Sequence, residues 1–361
     1  MGSEADLFVG RTLSGRWHVV KEIGGGGFGM VFAAQDLVDG REVAVKMLRL
    51  TSSSDPAART EFDDEARFLE RLRECNCVVD LLDKGEDIQI LSAEGPSGKV
   101  DIPWNFRFMV LELADGCLTQ LLLLDEATFA WRERLGVFRD VVKGVHQMHL
   151  KQVVDRDLKS ENVLVFATSG SAVAAKVADL GRARLMTEPP RFQSGEYLVG
   201  RGDLRFAAPE LLWHQGHDSD FDWRAVDLYH LGSVLFELGT GVGITSSVLP
   251  DSLAILQTMY TRPDAERAAS FRRSLPELAD RYELAADLFV AAAPAAIRPQ
   301  LASLLRQLVN PSPPQRFPKV QGVSDTRPGL GWLLRRIDVL VLTLVNADRE
   351  ARRQLLRKAT S

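Results

Sequence analysis

The chain has 361 residues, 45% of them hydrophobic, which is enough for sizeable cores, and its formal charge of −5 gives no electrostatic support for nucleic-acid binding. Cys75, Cys77 and Cys117 are too few and too irregularly spaced for a disulfide framework or a zinc site, which points to a reducing compartment. Met1 to Arg16 lacks an apolar signal core and no run approaches the roughly 18 apolar residues of a membrane span, so a soluble, cytoplasmic protein is expected. The excess of arginine over lysine hints at a GC-rich, bacterial genome.

Trp17 to Ile23 and Met30 to Ala34 read as strands flanking Gly24, Gly25, Gly26, Gly27, Phe28 and Gly29. Glycines at 24, 26 and 29 let a backbone approach phosphates without a Cβ in the way. A dinucleotide-binding βαβ unit uses the same glycine spacing, but there the last glycine opens a helix and an acidic residue follows about 20 residues on. Here Val31, Phe32, Ala33 and Ala34 and the turn at Asp39 and Gly40 are strand chemistry. The next strand, Glu42 to Leu48, puts Val43, Val45 and Met47 on one face and Ala44, Lys46 and Leu48 on the other. Lys46 therefore either snorkels from an edge or has an inward partner. Asp55 and Pro56 make an N-cap and a first-turn proline, after which Phe62, Ala66, Leu69 and Leu72 recur at helical spacing. Glu65 lies on that apolar stripe, and because an unpaired inward carboxylate is costly, Lys46 is its expected partner.

Gly85 to Asn105 is a long connection with a loop tip at Gly95, Pro96, Ser97 and Gly98, and no chemistry is assigned to it. An apolar strand then runs from near Phe106 through Val110, Leu111, Glu112 and Leu113 to Ala114, Asp115 and Gly116. A helix from about Ala127 to His149 places Leu135, Phe138, Val142, Val145 and His149 near one face, with His146 and His149 read as packing or surface residues rather than ligands or bases. The segment Asp155, Arg156, Asp157, Leu158, Lys159, Ser160, Glu161 and Asn162 gathers polar groups at a spacing suited to phosphoryl chemistry. Val163 to Phe166, a turn at Thr168, Ser169, Gly170 and Ser171, and Val173 to Ala178 read as a hairpin. Its ends fold together, so Asn162 and Asp179 are expected at one edge, as oxygen ligands for a hard cation that keeps much of its water. Gly331 to Lys358 reads as one or two helices, apolar from Trp332 to Val345 and basic at Arg349, Arg352, Arg353, Arg357 and Lys358. It is either a helix packed on the core with a solvated basic end or a docking or self-association helix.

These segments, in this order, resemble the eukaryotic-type (Hanks-type) Ser/Thr protein kinase domain, over about residues 13 to 320. The segment from Asp155 to Asn162 resembles the catalytic loop, and Asp179, Leu180 and Gly181 resemble the Asp-Phe-Gly motif. Ala208, Pro209 and Glu210 resemble the end of the activation segment, and Asp227 to Gly232 the start of the central large-lobe helix. Arg316 resembles the late arginine that pairs with the glutamate at Glu210. Phosphotransferases acting on small molecules share the Asp and Asn logic but typically lack the Ala-Pro-Glu segment.

The resemblance implies an α+β, bilobal protein-kinase-like fold: an N-terminal extension at 1–12, a mostly antiparallel β small lobe with one helix at 13–113, a mostly helical large lobe at 114–320, and a C-terminal helical extension at 321–361. It implies that Asp157 takes the proton of a substrate hydroxyl, that Lys159 neutralises the migrating phosphate, and that Asn162 and Asp179 hold Mg2+. Lys46, paired with Glu65, would grip the inner phosphates of ATP beneath Gly24, Gly26 and Gly29. The adenine would lie among Val31, Ala44 and Leu164, against the backbone of Glu112 and Ala114, with Leu111 as gatekeeper. Lys159 implies serine or threonine of a protein substrate as acceptor, and Arg156 implies pairing with a phosphorylated Thr187, Ser194 or Tyr197 between Arg182 and Arg205.

The chain departs from the family pattern at Asp155, where His is usual, at Leu180, where Phe is usual, and at Asp203, where Thr is usual. An ionised Asp203 cannot donate to Asp157, and like charges so close would raise at least one carboxyl pKa. Either the loop is rewired for an unusual substrate, or the chain is a pseudokinase, a nucleotide-responsive scaffold.

Overall fold

Period-two alternation in the first third of the chain builds an antiparallel sheet. The computed structural model divides into two units, Met1–Asp115 with Asp179–Arg182, and Gly116–Ala178 with Ala183–Ser361. The structure describes residues 4–26, 29–95, 98–124, 129–168, 173–188, 203–215, 222–320, 323–324 and 329–359. Gly27, Phe28, Pro96, Ser97, Ser169, Gly170, Ser171, Ser194 and Tyr197 lie outside the described residues.

In the smaller unit, β1 (Thr12–Leu13), β2 (Trp17–Gly25), β3 (Gly29–Asp36) and β4 (Glu42–Leu48) precede α1 (Pro56–Arg71), and β5 (Leu81–Gly95) and β6 (Gly98–Glu112) follow it. The sheet order is β1-β2-β3-β4-β6-β5. Val43, Val45 and Met47 point into a core with Trp17, Met30, Phe32, Phe106 and Phe108, as the alternation requires. Ala44 and Lys46 occupy the other face, in register with Leu111 and Met109 of β6. The long connection is thus a hairpin that continues the sheet, with Gly85 set against Phe108, whose ring would lie 2.7 Å from an added Cβ.

Residues 4–11 contribute to this core. Ala5 and Phe8 are buried, and the Phe8 ring packs edge-on against Phe106 at 5.3 Å. The two sheet edges approach each other here, since the Ser14 amide donates to Asp87 Oδ2 at 2.7 Å and Arg11 donates to Gln89 at 3.2 Å. These side-chain contacts cover the β5 edge around Asp87 and Gln89. On α1, the Asp55 carboxylate accepts from the Ala57 amide at 2.9 Å, and Pro56 starts the first turn. Phe62, Glu65, Ala66 and Leu69 form its buried stripe.

The larger unit begins with β7 (Gly116–Cys117), α2 (Leu118–Leu121), α3 (Trp131–Leu150) and β8 (Val153–Val154). Next come β9 (Val163–Ala167) and β10 (Val173–Val177), which pair as the expected hairpin with Val163 opposite Val177, and then β11 (Arg184–Leu185). The helices α4 (Pro209–Leu212), α5 (Arg224–Thr240), α6 (Ile244–Val248), α7 (Ser252–Tyr260), α8 (Asp264–Ala291) and α9 (Arg298–Leu308) follow. The short strands β12 (Lys319–Val320) and β13 (Val323–Ser324) lead to α10 (Gly331–Ala359).

Helix α5 is buried from Ala225 to Leu238, so it forms the axis of this unit. At Gly232 an added Cβ would meet Val309 Cγ1 at 2.5 Å, so only glycine allows α5 and the end of α9 to come this close. The Arg316 guanidinium grips both oxygens of Glu210, at 2.6 and 2.7 Å, and also donates to the carbonyls of Ala225 and Asn310. This buried pair joins α4, α5 and the Pro313–Arg316 turn with its hydrogen-bonding groups satisfied.

The C-terminal segment is one helix. Leu333, Ile337, Leu340 and Leu344 are buried at helical spacing, and Arg139 of α3 binds Asp338 at 2.6 Å. Its apolar half is not buried all round, since Val339 and Leu342 stay exposed, and its basic end is solvated. No helix among the described residues is long and apolar enough to cross a membrane.

Replacing Arg316 with Ala strands Glu210 without its partner and is expected to cost about 3–5 kcal/mol, read as a lower denaturation midpoint. Replacing the pair by Arg316→Met with Glu210→Leu is expected to recover most of that loss.

Candidate active site

The smaller unit contributes a charged cluster built on three elements. Lys46 on β4 donates to both oxygens of Glu65 on α1, at 2.8 and 2.7 Å, and to Asp179 Oδ1 at 2.9 Å. The inward stripe of α1 and the face alternation of β4 bring the first pair together. Glu65 is only 3% exposed, and its burial raises its pKa against the pull of Lys46. Burial opposes the charge on Lys46, but Asp179 and Glu65 more than compensate and raise its pKa, so the ammonium persists at neutral pH. Asp179 adopts a left-handed backbone, φ +58°, where Asp is tolerated better than most side chains.

Earlier in the chain, the glycine turn is held by its own backbone and by one arginine. The Gly26 amide donates to the Gly29 carbonyl at 3.0 Å, and Arg49 Nε donates to the Gly26 carbonyl at 2.9 Å. A Cβ on Gly25 would lie 3.0 Å from the Gly29 carbonyl oxygen, so a side chain there would crowd the turn. Val31 lies opposite Lys46 and Ala33 opposite Ala44 in the β3–β4 register, and Ala44 faces Leu111 across β6. Glu112 ends β6 and receives the Asp80 amide on its carboxylate at 2.8 Å, and Ala114 follows two residues later, beyond the end of the strand. Gly24, Gly26, Gly29, Val31, Ala44, Lys46, Glu65, Glu112, Ala114 and Asp179 thus all belong to the smaller unit.

Asp157, Lys159, Asn162 and Leu164 belong to the larger unit. The loop that carries them hangs from a buried carboxylate, Asp227 at the start of α5. Asp227 accepts from the amides of Asp155 and Arg156, at 3.0 and 2.9 Å, and lies 2.7 Å from His149 Nε2. Arg156 takes the left-handed conformation, φ +72°, and its guanidinium lies 5.0 Å over the Trp223 ring. The loop then turns on its own side chains. Asp155 Oδ1 accepts the Asp157 amide at 3.0 Å, and Asn162 Nδ2 donates to the Asp157 carbonyl at 2.9 Å. Lys159 Nζ lies 3.3 Å from Asp157 Oδ2. With its amide nitrogen committed, Asn162 can offer Oδ1 to a cation.

Two further groups surround this loop. Arg205 binds Asp203 at 2.5 Å and Glu161 at 2.6 Å, a clamp between the loop and the start of the 203–215 segment. Burial works against the charge on Asp203, but Arg205 with Lys159 holds its pKa below the usual carboxylate value. The raised pKa expected here from the sequence is therefore not found at Asp203, because Arg205, two residues away, neutralises its charge. Behind the loop, Ser160 Oγ donates to Glu237 Oε1 at 2.8 Å and receives Thr119 at 2.9 Å. Burial pushes Glu237 up to about 7, with Ser160 pulling it back, and its Oε2 has no hydrogen-bond partner among the described residues.

The roles of His149, Glu161, Arg205 and Glu237 are not foreseen from the sequence. His149 has a readable signal, its place on the apolar face of α3, which argues for burial and therefore for a polar partner. Of the activation-segment candidates, Thr187 is described and exposed, while Ser194 and Tyr197 lie outside the described residues.

The family model of the protein kinase domain matches residues 17–325. The chain is 26% identical over 261 residues to the serine/threonine-protein kinase PrkC of Bacillus subtilis, covering 72% of this chain and 36% of that protein. It is 31% identical over 233 residues to the serine/threonine-protein kinase PknA of Mycobacterium tuberculosis, covering 64% and 48%. It is 30% identical over 230 residues to the probable serine/threonine-protein kinase PknB of Corynebacterium glutamicum, covering 64% and 32%. The chain spans about a third to a half of the length of these relatives.

The raised pKa of Glu237 makes a stability prediction. A carboxyl raised from 4.5 to about 7 binds more protons folded than unfolded, so its contribution is fully present below pH 4.5 and is lost as pH rises through about 7. Glu237→Gln removes the charge but keeps an oxygen for Ser160. It is expected to stabilise the protein by roughly 1–2 kcal/mol above neutral pH and to give no gain in acid, read from thermal unfolding across pH.

Proposed function

This chain belongs to the protein kinase domain family, and we propose that it transfers the γ-phosphoryl group of ATP to serine or threonine hydroxyls of protein substrates. The observation that carries the reading is the Lys46 ammonium, bound by both oxygens of Glu65 and by Asp179. A partly buried cation fixed by two carboxylates from separate parts of the chain suits the grip on nucleotide phosphates that this family uses. Protein kinases use ATP and magnesium, and the residues here fit both. Asn162 and Asp179 supply oxygen donors of the type a hard cation takes, and the glycine turn presents backbone where phosphates must come close. Magnesium, when bound, neutralises charge on the phosphates.

The chain's own groups would then divide the work. Asp157 orients the acceptor hydroxyl and takes its proton, its backbone held by Asp155 and Asn162. Lys159, within reach of Asp157, meets the charge of the migrating phosphoryl group. Val31, Ala44 and Leu164 would pack on the adenine, with the Glu112 carbonyl and Ala114 amide at its edge and Leu111 behind it. Asp203, bound to Arg205, carries its negative charge already neutralised, which favours a rewired loop over a pseudokinase. Hydroxyls of the activation segment, including Thr187, are acceptors within the chain itself, and Arg156 is the group to receive a phosphate there. Three thiols with no disulfide suit a reducing, cytoplasmic compartment. The solvated distal half of α10, with Leu355 exposed among its arginines, is the segment open to a partner or a second copy.

The test is phosphorylation of a generic basic protein with magnesium and ATP, together with mass-spectrometric mapping of sites on the chain itself. Asp157→Asn is expected to lower kcat by roughly 10²–10⁴ with little change in the KM for ATP. Asp203→Thr releases Arg205 and is expected to lower activity on the order of tenfold. A gain in that variant would favour the impaired reading, and signal surviving in Asp157→Asn would mark a contaminating kinase.

A further inference from the structure

The larger unit contains a pocket of about 230 Å³ that the proposed transfer does not use. His146 and His149 of α3, Arg224 of α5, Phe317, and Trp332 and Arg335 of α10 line it. His149 is fully buried, and while its Nε2 is engaged by Asp227 at 2.7 Å, its Nδ1 has no hydrogen-bond partner among the described residues. A buried ring nitrogen in that condition calls for an explanation, and an adjoining cavity supplies one. His146 Nδ1 accepts the Leu330 amide at 2.7 Å, which leaves the proton on Nε2 as a donor.

The surroundings favour negative charge. Two long helices, α5 and α10, begin here, with Arg224 and Gly331 as their first residues in the pocket wall. The N–H groups and dipole at such ends attract anions, and the first turn of α10 carries no acidic side chain to compete. Arg335 adds an exposed full charge with no carboxylate partner among the described residues. The carboxylates that face these groups are already engaged, Asp227 by His149 and the loop amides and Asp222 by Arg224 at 2.6 Å.

We infer that this pocket binds a small phosphomonoester. Near neutral pH such a group carries about −1.5 to −2 charges and retains a fraction of its last proton. Its oxygens can accept from Arg335 and the helix ends while its remaining P–OH donates to His149 Nδ1. A carboxylate, fully ionised, cannot do both. The Phe317 and Trp332 rings offer an apolar wall for a flat substituent. Because Asp227 joins His149 to the backbone of Asp155 and Arg156, occupancy is felt by the loop that carries Asp157. The inference does not depend on whether the chain transfers phosphate.

The test uses the full chain with isotope-labelled histidine, titrated with phenyl phosphate and, in parallel, with benzoate. The His149 ring nitrogens are expected to shift in a saturable way with phenyl phosphate and far less with benzoate. Arg335→Gln, an exposed change, is expected to weaken binding roughly tenfold with an unaltered melting temperature. A shift confined to other histidines, an equal response to benzoate, or full affinity in Arg335→Gln would each overturn the assignment.

Discussion

The larger unit depends on one buried carboxylate. Asp227 has no exposure, yet it is matched by three donors: the amides of Asp155 and Arg156 and the ring of His149. A carboxylate is tolerated in the interior only when its lone pairs are satisfied, so removing any donor would destabilise the rest. That requirement fixes the start of the Asp155–Asn162 loop against a helix buried from Ala225 to Leu238. It also forces Arg156 into a left-handed backbone that a non-glycine residue adopts only when its neighbours demand it. From this anchor the loop closes on itself through Asp155 and Asn162, and Asp157 is presented at its centre.

Charges elsewhere are handled in the same way. Lys46 is held between Glu65 and Asp179, and Arg205 between Asp203 and Glu161. In each case two carboxylates from different parts of the chain share one cation, which lets negative side chains gather without mutual repulsion dominating. Glu237 differs, a buried carboxyl whose hydrogen-bond partner among the described residues is the Ser160 hydroxyl, and burial raises its pKa. It sits behind Ser160, which lies between Lys159 and Glu161 in the chain, so protonation there bears on the loop and not merely on general stability.

Much of this arrangement is legible in the sequence. The alternation in Glu42–Leu48 places Lys46, and the stripe from Phe62 to Leu69 places Glu65, because each rests on a local period that packing must respect. The hairpin from Val163 to Val177 is legible for the same reason. The role of residues 4–11 is not, since Phe8 stands in a stretch without periodicity and its burial depends on strands far along the chain. His149 and Asp227 are 78 positions apart, and Arg205 and Glu161 are 44 apart, so no local pattern could pair them.

The sequence alone determined the family, the order of its motifs and the residues that bear charge at each of them, because those are properties of composition at fixed spacing. Tertiary structure decided how each charge is satisfied. It set Arg205 against Asp203, gave Asp227 its donors, left one nitrogen of His149 without a hydrogen-bond partner among the described residues, and made the C-terminal segment a single helix with one covered face. Pairings of that kind are settled by which distant surfaces must be buried together, and a linear string does not record them.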